Sequence, residues 1–371
     1  MNPLEALNQC GQFVWLDHLS RRLITSGELQ QLIDRDRLGG VTSNPTIFNA
    51  AIGGSADYDT SLHRAVAADA YLDNVALAEA LIVEDIQLAA GVLRPVYDET
   101  GGENGFVSLE VWPRFAHDTA ATVAEARRFW QLVARPNVMI KVPATPAGIQ
   151  AVETLTADGI NVNITLMFSL EHYEAVAHAY LRGVDRYPHP RRVVSVASIF
   201  VSRLDVAADR LLEAIGSPKA LALRGQIAIA NATRVYRRFR DIFYGEPFEG
   251  LRRRGARIQR PLWASTGTKN PSYSDVLYLE ALIGSDTIMT APPATLDAFR
   301  DHGRVRVALR RHDEDGGRAE AVLASAAALG LDVHAITEQL QADAIRAFAS
   351  SADELLASVG KKRRQMEMAE R

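Results

Sequence analysis

One lysine interrupts the apolar run "VMIKV" (138–142), and its position is the first chemical feature of this chain. A strand reading Val138, Met139, Ile140, Lys141, Val142 is apolar on both faces, the pattern of a parallel sheet covered on both sides. Lys141 therefore points into buried space. There it either reaches an edge or an acid partner with its charge intact, or desolvation favours the neutral amine and lowers its pKa from about 10.4. A neutral amine is a nucleophile. Metal and thiol chemistry have weaker claims: the single cysteine, Cys10, cannot form an intramolecular disulfide, and neither a CxxC nor a Cys/His metal spacing occurs.

The elements that must position Lys141 alternate along the chain. Eight strand-like runs can be counted: "FVWLD" ending at Asp17, "GGVTSN" ending at Asn44, "GFVSLEV" around Glu110, "VMIKV", "INVNITL" ending near Thr165, "VVSVAS" ending at Ser198, "PLWAS" ending at Ser265 and "DTIMTAP" from Asp286. Amphipathic helical segments lie between them. Val123, Ala126, Trp130 and Val133 recur at helical spacing, as do Tyr173, Val176, Tyr180 and Val184, with Asp118 and Ser169 placed to cap the two helices. Residues 45–106, with Leu81, Leu88 and Val92 on one face, and 204–260 read as long helical insertions. A C-terminal helical extension is expected over 318–361, followed by a fraying polar tail at 362–371.

Eight strand–helix pairs predict an α/β fold, a (β/α)8 TIM barrel with insertions, and the absence of a Pro/Gly/Ser linker predicts one decorated domain over 1–371. An open doubly wound sheet is the alternative. It lacks support because no glycine follows the first strand in "FVWLDHLSRR".

Composition narrows the function classes. The 371 residues carry 41 Lys and Arg against 45 Asp and Glu, a formal charge of −4, so no global basic field is available for nucleic acid. The basic runs "RVYRRFR" and "LRRRGARIQR" read as solvated helix faces. No apolar run approaches the length of a membrane span, and "MNPLEALNQCGQFVWLDHL" lacks the basic start and apolar core of a signal peptide. A cytoplasmic protein acting on small molecules is expected.

Barrels of this kind gather chemistry at the C-terminal ends of their strands. Those ends read Asp17, then Thr42, Ser43 and Asn44, then Glu110, Lys141, Asn163 with Thr165, Ser198, and Ser265 with Thr266. Any one Ser, Thr or Asn is explained by capping or turn formation. Carboxylates and a lysine meeting at one buried rim are costly unless they pair or act.

The segments "GVTSNPTIF", "IKVPAT", "GINVNITLMFSL", "SVASIFVSR" and "WASTGTKNPSYSDVLYLEALIG", in this order, resemble the signature segments of transaldolases in their long bacterial form. The similarity runs from "WLDHLSR" into the C-terminal segment and covers nearly the whole chain. Transaldolases are class I aldolase barrels of the non-oxidative pentose phosphate pathway. The resemblance implies that Lys141 forms a Schiff base with the C2 ketone of a ketose phosphate, such as sedoheptulose 7-phosphate or fructose 6-phosphate. The dihydroxyacetone unit then passes to an aldose phosphate. No metal or organic cofactor is implied, and monomer and homodimer both stay open.

The same resemblance implies the remaining roles. Asp17 matches the acid–base residue for the C4 hydroxyl. Glu110 and Thr165 match residues that hold a water and relay protons during dehydration of the carbinolamine. Thr42, Asn44 and Asn163 match contacts to the dihydroxyacetone part, and Ser198 and Ser265 are expected close to the substrate. Arg203 matches the phosphate-binding arginine, with Lys269 a second cation in a loop that varies within the family. Trp112 stands where many relatives have Asp, and is expected to reshape the acceptor side.

Two other functions compete. A fructose 6-phosphate aldolase would release free dihydroxyacetone, but such relatives tend to carry glutamine at Glu110 and tyrosine at Phe200. A catalytically silent phosphosugar-binding barrel would be expected to lose Lys141 or Asp17, and both are present.

Overall fold

Eight strands close into a parallel barrel in sequence order: β1 (Gln12–Leu16), β2 (Gly40–Val41), β3 (Phe106–Glu110), β4 (Val138–Pro143), β5 (Val162–Met167), β6 (Ser195–Phe200), β7 (Arg260–Ala264) and β8 (Thr287–Ala291), with β8 pairing to β1. The structure, a computed structural model, describes residues 2–310 and 316–369. Each predicted run overlaps one strand, and the fold is the (β/α)8 barrel expected.

Alternation along each strand separates two cores. Val14, Leu16, Ile140, Val142, Ala197, Trp263 and Met289 face outward into the layer between barrel and helices. Trp15, Phe106, Met139, Val196, Leu262 and Ile288 face inward and pack with one another. Gly40 makes room for this inner core, since a Cβ there would lie 2.6 Å from the Trp15 ring. Two residues beyond these inward groups, at the C-terminal ends, the inward positions are Asp17, Lys141, Ser198 and Thr290.

The helices form where periodicity and caps place them. The Asp118 side chain accepts from the Ala121 N–H at the start of Thr119–Val133, and Ser169 accepts from His172 N–H at the start of Leu170–Arg186. The insertion after β2 includes the 26-residue helix Asn74–Glu99. Its expected apolar face is partly wrong: Leu81 is buried, but Leu88 is 40% exposed. Ile82, Ile86, Ala89 and Leu93 are buried instead, because this helix packs against several neighbours whose positions its own periodicity does not encode.

Of the basic runs, the arginines of the first are half-buried, whereas Arg252, Arg253 and Arg254 of the second are exposed as expected. Arg234, Arg238 and Arg240 pair with Glu320, Glu174 and Asp286, and Arg254 and Arg260 pair with Asp185 and Glu103.

The C-terminal extension is two helices, Gly316–Ala328 and Val333–Ala369, bent by 90° at the break. Among the described residues no single helix is long and apolar enough to cross a membrane. The tail expected to fray at 362–371 continues the last helix through Ala369. Lys362 Nζ donates to Ser55 O and pairs with Asp59 at 2.7 Å, and Arg363 donates to the carbonyls of Ala70 and Leu72. Lys362 and Arg363 dock onto backbone carbonyls while Arg364 and Gln365 stay exposed; residues 370 and 371 lie outside the described residues.

This last helix crosses the C-terminal end of the barrel. Gln341 Nε2 donates to Ala144 O and Leu166 O beyond β4 and on β5, and further along Ser351 and Glu354 bond Thr46 and Asn49 on the helix that follows β2.

Candidate active site

Lys141 is 4% exposed, and its ammonium lies 3.1 Å from Glu110 Oε2 and donates to Ser43 O at 3.0 Å. Register creates this proximity: Glu110 pairs with Lys141 across β3–β4, and Lys141 pairs with Asn163 across β4–β5. Three consecutive strands thus deliver an acid, an amine and an amide at one level. Asn163 is held on both sides, donating to Ser108 Oγ at 3.0 Å and accepting from Ser198 Oγ at 2.6 Å. An amide fixed at both its oxygen and its nitrogen has one orientation.

Burial pushes the Glu110 carboxyl above the ordinary carboxylate range; Lys141 pulls it back and Asp17 pushes it further. Among the described residues, the buried hydroxyl of Thr165, two residues past Asn163, has no partner, and Glu110 Oε2 makes no hydrogen bond of good geometry despite its nearness to Lys141. Leu166 follows with φ +57° at a register shift between β5 and β6. This bulge carries the Leu166 side chain into the inner core.

Across the barrel, Asp17 Oδ1 accepts from Thr42 Oγ1 at 2.8 Å, and Thr42 Oγ1 lies 3.0 Å from Thr290 Oγ1. This hydroxyl chain braces the carboxylate from one side. Asn44 is a cap: its Oδ1 accepts from Ile47 N–H at the start of Pro45–Gly53, with Pro45 at the first helical position.

Phe200 ends β6, and Arg203 stands in the first turn of the next helix, Ser202–Ile215. The Arg203 guanidinium lies 5.4 Å from the Phe200 ring centroid and has no hydrogen-bond or ion-pair partner among the described residues. Burial lowers its pKa, opposed by the charge of Asp17. Ser265, in the left-handed region at φ +54°, ties the loop after β7 to that helix: its carbonyl accepts from Ser202 N–H, and the two hydroxyls lie 3.0 Å apart.

The family profile described as Transaldolase/Fructose-6-phosphate aldolase matches residues 14–359. The chain belongs to the transaldolase/fructose-6-phosphate aldolase family. A transaldolase of Thiobacillus denitrificans is 45% identical over 364 residues, covering 97% of this chain and all of its own. Transaldolase 1 of Streptomyces coelicolor is 46% identical over 367 residues (96% and 94% of the two chains), and a transaldolase of Mycobacterium marinum 43% over 361 residues (96% of each).

Lys269 is exposed, its ammonium folded back to 3.8 Å from where a Cβ on Gly267 would lie. Trp112 is buried. Its ring packs behind Glu110 with Phe48, Phe129 and Leu355, and its N–H donates to Glu79 at 2.7 Å, an acid held in turn by Arg128. The indole N–H needed a buried acceptor, and the helix Asn74–Glu99 supplies one.

Sequence reasoning missed four groups. Ser108 and Thr290 share the inward phase of Glu110 and Asp17, so strand alternation could have found them. Gln341 and Phe348, on the last helix, carry no such signal. Phe348 is 3% exposed, with its ring centroid 6.0 Å from Lys141 Nζ and 5.9 Å from Arg203 Cζ.

Proposed function

We propose that this chain transfers a dihydroxyacetone unit from a ketose phosphate to an aldose phosphate through a Schiff base on Lys141. The transaldolase activity rests on the family and on full-length relatives of that name. The assignment of roles rests on one observation above all: the buried Lys141 ammonium is held between Glu110 and Ser43 O at the C-terminal end of the barrel.

A buried carboxyl that resists ionisation can take the lysine proton, which leaves a neutral amine aimed at the site. That amine attacks the C2 ketone. The unsatisfied Glu110 Oε2 and Thr165 Oγ1 suit a water that carries protons as the carbinolamine loses hydroxide. Asp17, braced by Thr42, takes the C4 hydroxyl proton while the C3–C4 bond breaks and its electrons enter the iminium. Asn163, Ser198 and Asn44 orient the three-carbon unit, and Arg203 binds the phosphate of the sugar. Ser265 shapes the wall beside Arg203, and Lys269 stands at the outer edge of the same side. The chemistry assigned to Lys141 asks for no metal or organic cofactor.

The substrates are small sugar phosphates of the non-oxidative pentose phosphate pathway. A net charge of −4 and a single cysteine favour a cytoplasmic enzyme with no nucleic-acid partner. Fructose 6-phosphate aldolase is the second reading, because the family includes it; Glu110 and Phe200 favour transfer.

Borohydride treatment in the presence of fructose 6-phosphate tests the reading. A reduced three-carbon adduct on Lys141, found by peptide mass spectrometry and absent from Lys141→Ala, is expected. Wild-type transfer by Lys141→Ala would refute it.

A further inference from the structure

The helix Val333–Ala369 brings one aromatic ring over the mouth of the barrel. Phe348 packs in the inner core with Leu166, Phe168 and Phe200, flanked on its own helix by Ala344 and Ile345. Its ring lies about equally far from the Lys141 ammonium, at 6.0 Å, and the Arg203 guanidinium, at 5.9 Å. Neither cation pairs with an acid on that helix. The helix is anchored close by, since Gln341 is buried and bonds two carbonyls at the ends of β4 and β5. The ring is thus an apolar surface close to both the amine and the arginine, on an element held by polar contacts that are independent of it.

We propose that Phe348 decides the fate of the three-carbon intermediate by keeping water off it. This rests on Lys141 being the Schiff-base residue. After C3–C4 cleavage the lysine carries an enamine, Lys141–NH–C(CH2OH)=CHOH. Transfer requires its nucleophilic carbon to wait for an aldehyde. The competing path consumes one water: the carbon takes a proton, the resulting hydroxide adds to C2 of the iminium, the C–N bond breaks, and the nitrogen takes the hydroxyl proton. Dihydroxyacetone leaves and Lys141 returns as the free amine. An apolar ring over the nitrogen removes the solvent that both proton transfer and addition need. Phe348 takes no proton itself, and it acts only through access.

The test measures free dihydroxyacetone released relative to dihydroxyacetone transferred, with fructose 6-phosphate as donor and a fixed concentration of an aldose phosphate acceptor, for wild type, Phe348→Ala and Phe348→Leu. This ratio does not depend on the fraction of enzyme folded. Release is expected to rise about tenfold in Phe348→Ala and about threefold in Phe348→Leu, which keeps the helix packed but loses the flat ring, with the borohydride adduct still on Lys141 in all three. An unchanged ratio in whichever variants fold, with the adduct present, overturns the role of Phe348 alone. Absence of the adduct in wild type overturns the Schiff-base reading and this proposal with it.

Discussion

Glu110 and Lys141 are register partners across β3 and β4, and their charged ends lie 3.1 Å apart with each side chain only 5% exposed. The carboxyl is pushed towards its neutral form by burial, which makes it a second home for a proton beside the lysine. Glu110→Gln keeps the shape and removes the second home. Imine formation should slow by about 10²-fold, while cleavage of an imine already formed changes less. Rapid-quench borohydride trapping against product formation separates the two steps; equal slowing of both would assign Glu110 to cleavage as well.

Asp17→Ala should lower kcat by about 10²- to 10⁴-fold with little change in KM, because a proton-transfer group acts mainly in the transition state. The Lys141 adduct should still form. A variant changed only in KM would make Asp17 a binding residue.

Arg203 has no ion-pair partner among the described residues, only the longer-range charge of Asp17, so its guanidinium can take a ligand anion. Arg203→Ala should raise KM for phosphorylated ketoses by about 10²-fold, corresponding to a lost charge-assisted bond of about 3 kcal/mol. Activity on an unphosphorylated ketose should be nearly unchanged. Equal losses on both donors would show that the arginine supports the fold or the chemistry itself.

Phe200 packs against Phe168 with ring centroids 5.3 Å apart and presents no hydroxyl to the site. Phe200→Tyr adds a proton donor and should increase the share of dihydroxyacetone released relative to that transferred. Measuring released dihydroxyacetone with and without an aldose acceptor gives this share directly, and no increase would remove Phe200 from control of the intermediate.

Asp205, two residues after Arg203, accepts from Ala228 N–H and Tyr278 OH, and burial pushes its carboxyl up to about 6 from an ordinary value near 3.8. A pKa raised on folding contributes stability below the unfolded value, and that contribution is lost as pH rises through the folded value. From this group, wild type should therefore lose about 2 kcal/mol between pH 4.5 and 7, and Asp205→Asn should not. Urea titrations of both proteins at the two pH values check the sign: the advantage of the variant must be larger at pH 7.

Much of this was legible in the chain because local rules wrote it. Strand alternation carries Trp15 and Asp17, or Met139 and Lys141, to the same side, so the inward residues could be read before the barrel was seen. Asp118 and Ser169 capped the helices they precede for the same local reason. Leu88 fails where locality fails: periodicity finds a face, but the neighbours of a 26-residue helix decide which residues on it are covered. The polar tail failed likewise, since Lys362 and Arg363 are solvated in isolation and find Asp59 and the Ala70 and Leu72 carbonyls only after docking.

By itself, then, the sequence determined the eight strands, their inward phase and the presence of a lysine, two carboxylates and an arginine at or just beyond strand ends. Only the tertiary structure decided that Glu110 lies against Lys141, that Asn163 is clamped by Ser108 and Ser198, and that the Phe348 ring, 207 positions beyond Lys141, comes within 6.0 Å of its ammonium. Pairing register and helix docking are set by contacts between segments far apart in the chain. Those contacts depend on the total burial of the folded state, which no window of neighbouring residues contains.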